Sequence, residues 1–385
     1  MPATYDVAIA GAGIVGAAVA DECAAAGLRV VVVEPGPIGG GATAAGMGHI
    51  VVMDDSPAQL ALTRYSAALW RELATELPPA VEYTQAGTIW VAADDHEAAE
   101  VERKRQVYAG AGVRVEVLDA RALAEAEPEL RSGLCGGLLA PDDAVIYPPC
   151  AAQFLLERAR SRGTEVRAGT AAELAGVGQA MGPASAIATG IRLRDGELLS
   201  AGVVVNATGT WAHELTPGIE VRKRKGHLAI TDRYPGFVRH QLVELGYLKS
   251  AHSTATDSVA FNAQPRGTGQ VLIGSSRQYD APQAGIDSSI LSRMLRRAGE
   301  YLPRLAELRV IRCWTGFRAA TPDKLPLIGP VAANDCLYLA TGHEGLGITT
   351  SLATAKLVVD QIIGRPSAIA REPYLPGRRQ EAQGG

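Results

Sequence analysis

The chain has no CxxC pair. Its five cysteines (Cys23, Cys135, Cys150, Cys313 and Cys336) stand far apart in 385 residues. That excludes the ligand spacing of a structural zinc or an iron–sulfur cluster, and the framework of a disulfide-stapled domain. It has no charge excess either: 37 Lys and Arg face 41 Asp and Glu, a net charge of −4, which gives no reason to expect nucleic acid or an anionic membrane as partner. No apolar run reaches the roughly 18 residues that span a bilayer. The apolar N-terminal stretch VAIAGAGIVGAAVA lacks a basic flank, carries Asp6 and is interrupted by glycines, so it does not read as a signal peptide. The seven histidines show no metal-ligand spacing, and no acid–base dyad, nucleophilic serine, internal repeat or low-complexity tract stands out. What remains is a globular composition, 47% hydrophobic, long enough for two domains or one inserted in another. The expectation is a cytoplasmic enzyme of metabolism.

What is present begins with a βαβ pattern: a strand over Tyr5–Ala10, a helix over about Ile14–Ala26 and a second strand over Arg29–Glu34. Gly11, Gly13 and Gly16 form G-x-G-x-x-G between the first strand and the helix, and Glu34 follows the last glycine by 18 residues. Gly11 permits the tight turn, Gly13 admits a pyrophosphate, and Gly16 lets helix and strand approach. Glu34 can accept from both ribose hydroxyls and disfavours a 2′-phosphate, so NADP is not expected. A second glycine-rich segment, PGPIGGGATAAGMGHIVV, follows, with a helix start near Gly41, Ala42 and Thr43 that would bring more N–H donors to the pyrophosphate. An apolar strand runs into Ala-Thr-Gly in VVVNATGTW (Val203 to Trp211), where the sequon at Asn206 reads as buried rather than glycosylated. Near the C-terminus, LATGHEGLGITTSLATA places Gly342, Gly345 and Gly347 before a helix, a loop suited to holding an anion.

Four segments in order, GAGIVGAAVA…VVVVE, VVNATGTWA, WTGFRAATPDKLPLIGP and ATGHEGLGITT, resemble the FAD-dependent D-amino acid oxidase superfamily. That group includes glycine oxidase, sarcosine oxidase, hydrogen cyanide synthase and the flavin subunits of bacterial D-hydroxyproline dehydrogenases. The resemblance spans nearly the whole chain, and GMGHIVVMDD with YLKSAH…FNAQPR…GQVLIGSSRQ is most similar to the last of these. It implies a Rossmann-type α/β FAD domain with a second, mainly antiparallel β-sheet substrate domain. The FAD domain would be discontinuous (1–80, 143–219 and 312–375), the substrate domain would comprise 81–142 and 220–311, and 376–385 would be a frayed polar tail.

The resemblance implies non-covalent FAD. Its contacts would come from Gly11, Gly13, Ile14, Val15, Gly16, Glu34, Pro35, Gly41, Ala42, Thr43, Gly46, Met47 and Gly48, from Val166, from Ala207, Thr208, Gly209 and Trp211, and from Gly345, Leu346, Gly347, Ile348 and Thr349. In such enzymes a hydride passes from the substrate carbon to flavin N5, and the 345–349 loop would meet the negative charge of the reduced flavin. Arg318, in WTGFR, corresponds to the arginine that pairs with the substrate carboxylate, a role its fork suits. His49 falls where the family chain passes the flavin ring, either shaping the pocket, accepting a proton or serving as a hydrogen-bonded structural histidine. Tyr247 and Asn262 are candidate pocket residues. Glycine oxidase has a tyrosine where NAQPR here begins with Asn262, which weakens the case for glycine. Cys313 reads as a strand cysteine rather than a flavin attachment point, and RKRKGH (Arg222 to His227) as a mostly solvated edge rather than a dock for an acidic partner.

The implied reaction is oxidation of the C–N bond of a small D-amino acid or cyclic secondary amine, of the D-hydroxyproline or D-proline type, to an imine. Two alternatives stay open: an O2-using glycine or sarcosine oxidase, and an electron-passing flavin subunit of a heteromeric dehydrogenase. The expected partners are the small substrate and partner subunits or further copies of the chain.

Overall fold

The computed structural model describes residues 5–168, 172–175, 190–246, 257–279, 281–332 and 334–378. The opening strand forms over Tyr5–Ala10, the helix over Ile14–Ala25 and the next strand over Val30–Glu34, within a residue of the periodicity reading. Both strands are runs of small and β-branched apolar residues covered on two faces, the pattern of a central parallel sheet. They pair in parallel, Val7 opposite Val30 and Ala10 opposite Val33. The helix between them presents Ala17, Ala18, Ala20 and Cys23 to the core. These small side chains let it lie close to the helices Pro148–Ser161 and Gly347–Ile362.

Among the described residues there are two eight-stranded sheets. The main path of the first runs Leu327–Val331, Asn334–Thr341, Leu198–Asn206, Tyr5–Ala10, Val30–Glu34, Glu165–Ala168, parallel except for its first strand. The chain leaves the strand Tyr5–Ala10 toward Val30–Glu34 on one side, while Leu198–Asn206 returns on the other. A crevice therefore opens at the carboxyl ends of these strands, the place where such sheets bind ligands.

The second sheet runs Val310–Ala320, Arg222–Arg233, Gln270–Arg277, Ser258–Pro265, Gln241–Glu244, Thr88–Ala92, Gly136–Ala140, Glu116–Asp119. All its pairs are antiparallel except Gln241–Glu244 with Thr88–Ala92. The hairpin expected around Gly267-Thr268-Gly269 is present, with Ala263 opposite Ile273. Phe261 stacks on Tyr301 with ring centroids 4.4 Å apart, which ties the helix Ser288–Tyr301 to this sheet.

Two expectations need correction. The segment RKRK is not mostly solvated: Arg222 is exposed, but Arg224 and Lys225 are 2% and 5% exposed. The strand lies between two others, and its two buried charges find partners there: Arg224 donates to Glu344 at 2.8 Å and Lys225 to the carbonyl of Gly285. The start of the C-terminal tail is not frayed either. Arg378 forks onto both oxygens of Asp323 at 2.7 and 2.8 Å and donates to the carbonyls of Leu325 and Pro326. The last seven residues lie outside the described residues, as does Tyr247. No helix among the described residues is long and apolar enough to cross a membrane.

Candidate cofactor and substrate site

Three helices begin on one elongated cavity of about 640 Å³ in the crevice between the sheets. They are Ile14–Ala25, the short Gly41–Ala45 and Gly347–Ile362; none is capped by its own N-cap side chain or has an acidic residue in its first turn, although the Ile14 N–H donates to Thr43 Oγ1 at 3.0 Å. Uncapped N-termini carry unsatisfied N–H groups and partial positive charge, so three on one wall favour an elongated anion. The glycines make the approach possible. Gly11 sits at φ +102°, and a Cβ there would lie 2.6 Å from the carbonyl oxygen of Ala207; a Cβ on Gly16 would lie 2.0 Å from that of Gly11. Gly13 is tight only against Thr43 Oγ1, at 3.2 Å, which leaves its cavity side open. In WTGFR, Gly316 has the same role, since a Cβ there would meet that of Ala45 at 2.3 Å and push the short helix away.

Glu34 holds its place through the backbone: its two oxygens accept from the amides of Ala12 and Gly36, each at 2.8 Å. A carboxylate has about four acceptor positions, so lone pairs remain for ribose hydroxyls. The cradle and the donor set fit a flavin dinucleotide.

The lining of this cavity includes Gly11, Gly13, Ile14, Val15, Glu34, Pro35, Gly41, Ala42, Thr43, Gly46, Met47, Gly48, Ala207, Thr208, Gly209, Trp211, Gly345, Gly347 and Ile348, and at its other end His49, Asn262 and Arg318. Four expected residues do not line it. Gly16 serves the helix–strand contact. Val166 pairs with Val32 inside the sheet. Thr349 turns its hydroxyl to the carbonyl of His49 at 2.8 Å, tying the two loops together. Leu346 lines a smaller adjoining cavity of about 70 Å³.

Missed from sequence were Ser275, Glu344 and Leu228 in the main cavity and Arg224, Arg277, Lys324 and Gln241 in the small one. Glu344 follows Gly342-His343, sits at φ +51° and accepts from Arg224. Burial alone would raise its carboxyl, but Arg318, Arg277 and Arg224 outweigh that and hold it at about 2. Arg318 donates to the carbonyl of Ser276 at 3.0 Å, which fixes its guanidinium beside Gly345.

Burial pushes His49 and His343 down to about 3 and Asp143 up to about 7. His343 is held at 3.0 Å from Thr354 Oγ1, and Asp143 accepts from the amide of Val52 at 3.3 Å. Each histidine is neutral in the fold and gains a proton on unfolding below 6.5, so both lower stability as pH falls through that value. Asp143 has the opposite sign: protonated in the fold below about 7 and ionised on unfolding above 3.8, it adds stability as pH falls. Replacing it, Asp143→Asn, removes that opposition. The loss of stability between pH 6.5 and 5 should steepen by about 1.4 kcal/mol per pH unit, read from urea midpoints; an unchanged slope contradicts the assignment.

Gly11→Ala should cost about 1–3 kcal/mol through overpacking and abolish FAD retention. The check is the flavin-to-protein absorbance ratio after purification, and a full flavin complement would contradict the cradle.

Comparison with known proteins agrees with this geometry. Residues 6–361 match the family described as "FAD dependent oxidoreductase" (DAO). Hydrogen cyanide synthase subunit HcnC of Pseudomonas aeruginosa is 28% identical over 99% of this chain and 97% of its own length. Glycine oxidase of the same organism is 29% identical over 97% of this chain and 99% of its own. The crystal structure of glycine oxidase from Geobacillus kaustophilus superposes with a TM-score of 0.86 at 25% identity, covering 98% of this chain and all of that one. A glycine cradle at a strand-order switch, three uncapped helix ends on one crevice and a match over nearly the full length place the chain in the FAD-dependent oxidoreductase (DAO) family.

Proposed function

We propose that the chain oxidises the C–N bond of a small amino acid or cyclic secondary amine to an imine, with D-proline and D-hydroxyproline as first candidates. The observation that carries this reading is Arg318, a guanidinium that lines the cofactor cavity against the loop at Gly345, in a lining that also includes His49 and Asn262. FAD, when bound, supplies a two-electron acceptor for the hydride equivalent leaving the substrate carbon.

The chain's own groups do the rest. Arg318 pairs with the carboxylate and fixes which carbon faces the cofactor. The N–H groups at the start of the helix Gly347–Ile362 offer positive potential where negative charge accumulates. His49 is half-buried, lines the cavity and is neutral, so it can hydrogen-bond the amine rather than repel it. If the amine enters neutral, the imine forms by loss of the hydride and the N–H proton and needs no dedicated base. Water then hydrolyses the imine, or it persists as a cyclic pyrroline.

A direct O2-using oxidase of glycine or sarcosine is the second reading, favoured by the 29% identity to a glycine oxidase over nearly the full length. The similarity to a protein described as a synthase subunit supports looking for a partner chain. The test is an anaerobic titration with cis-4-hydroxy-D-proline, D-proline, glycine and sarcosine, following flavin bleaching at about 450 nm, before air is admitted. Bleaching by the D-prolines with slow reoxidation supports a dehydrogenase. Bleaching by glycine or sarcosine with rapid recovery of colour supports the oxidase, and no bleaching by any amine refutes both.

A further inference from the structure

The small cavity beyond the ring end is walled by charge. It shares His49, Asn262, Glu344 and Gly345 with the cofactor cavity, so the two adjoin. Arg224, Arg277 and Lys324 come to it from three separate segments, with Asp55 and Glu344 as its carboxylates. Arg318 stands at the shared wall, because Arg318, Arg277 and Arg224 all act on Glu344. Among the described residues, three cations and two carboxylates line this space, and Arg318 adds a fourth cation in the adjoining cavity, an excess of two positive charges over the pair of cavities' shared end. Arg224 is 2% exposed and Arg277 4% exposed. Charges this deep are costly unless matched.

A second observation points the same way. Four buried polar atoms of residues on this wall have no hydrogen-bond partner among the described residues: Arg224 Nε, Gln241 Oε1, Asn262 Oδ1 and His49 Nε2. Buried polar groups are nearly always satisfied, so a cluster of unsatisfied ones calls for a water, an ion or a ligand group to complete it. A cavity of about 70 Å³ has room for several water-sized groups, too much for a hydroxyl alone and enough for a carboxylate and its linking carbon.

We propose that this cavity is a second carboxylate subsite, and that the preferred substrate is an amine bearing two carboxylates, one on Arg318 and the other between Arg224 and Arg277. This rests on the reading of Arg318 above and, within the small amino acids and amines of that reading, ranks dicarboxylates ahead of the D-prolines. With the amine neutral, such a molecule carries two negative charges, equal to the excess on the wall. The uncharged ring of D-proline, or the hydroxyl of hydroxyproline, would leave one of them unbalanced.

Matched pairs test this on the holoenzyme: sarcosine against iminodiacetate, and D-alanine against D-glutamate, in anaerobic flavin reduction. The dicarboxylate of at least one pair should half-saturate at a concentration at least tenfold lower, and Arg277→Gln should shrink that ratio at least tenfold. Equal half-saturation within both pairs overturns the proposal. A second measurement needs neither a variant nor turnover: perturbation of the flavin spectrum by succinate should appear at concentrations at least tenfold below those for acetate, and equal concentrations overturn it. If no amine bleaches the flavin while succinate still outcompetes acetate, the oxidation reading fails and the subsite stands.

Discussion

Arg318→Ala should lower kcat/KM for the amine substrate by roughly 30-fold to several thousand-fold, the equivalent of about 2–5 kcal/mol for removing one partner of a buried charge pair. The loss should fall mainly on substrate affinity, with flavin content unchanged, because Arg318 is held by the carbonyl of Ser276 and faces the ring end of the cavity. Arg318→Lys keeps the charge but loses the fork, so it should recover only part of the loss. Gly226→Ala offers an independent route to the same defect. A Cβ at Gly226 would lie 2.4 Å from Arg318 Nη1 and must displace the guanidinium without removing it. Full activity in Arg318→Ala would exclude the carboxylate assignment.

Lys104→Met should destabilise the protein by about 3 kcal/mol, the low end for breaking a buried pair, because Asp54 keeps only the half-exposed Arg103, 3.5 Å away. Lys104 is fully buried; it pairs with Asp54, whose side chain is 1% exposed, and lies 4.0 Å from the centroid of Trp90 and 4.7 Å from that of Tyr108. The effect should reach the site as well, since Asp54 adjoins Asp55 in the segment that carries His49. Lys104→Met combined with Asp54→Leu removes both charges and should recover most of the lost stability. A double variant no better than the single one would show that the packing around the rings, not the ion pair, was at stake. Urea midpoints of the three proteins decide between these outcomes.

The cofactor end of the site was legible in the sequence because its determinants are local. Gly11, Gly13 and Gly16 sit within one turn between an apolar strand and a helix, and Glu34 ends the next strand. Each is read from spacing alone, and the hairpin around Gly267 to Gly269 likewise. The small cavity was not legible, because Arg224, Arg277, Lys324 and Glu344 come from four segments that only the folded sheet brings together. Arg224 was misread for a specific reason. A run of four basic residues resembles a solvated edge, but the strand Arg222–Arg233 lies within the sheet rather than at its edge, and Arg224 and Lys225 are buried there. Lys104 was hidden in the same way, within a helix on whose surface Glu100 pairs with Arg103 and Glu102 with Arg105. Arg378 lies in a polar, proline-bearing terminus that gives no periodic signal, yet it clamps the turn at Asp323.

The three uncapped helix ends have a consequence for how the protein lives in a cell. Their positive poles point into one void, where like poles repel until a phosphate-bearing molecule neutralises them. The dinucleotide is thus part of the protein's architecture as much as of its chemistry. Occupancy at a thousand times the dissociation constant adds about 4 kcal/mol to the folded state, a large share of the roughly 5–15 kcal/mol on which a domain survives. Chains made faster than flavin is supplied remain in the weaker form and reach proteases first. The steady-state amount of this enzyme should therefore follow riboflavin nutrition even when its transcription does not change.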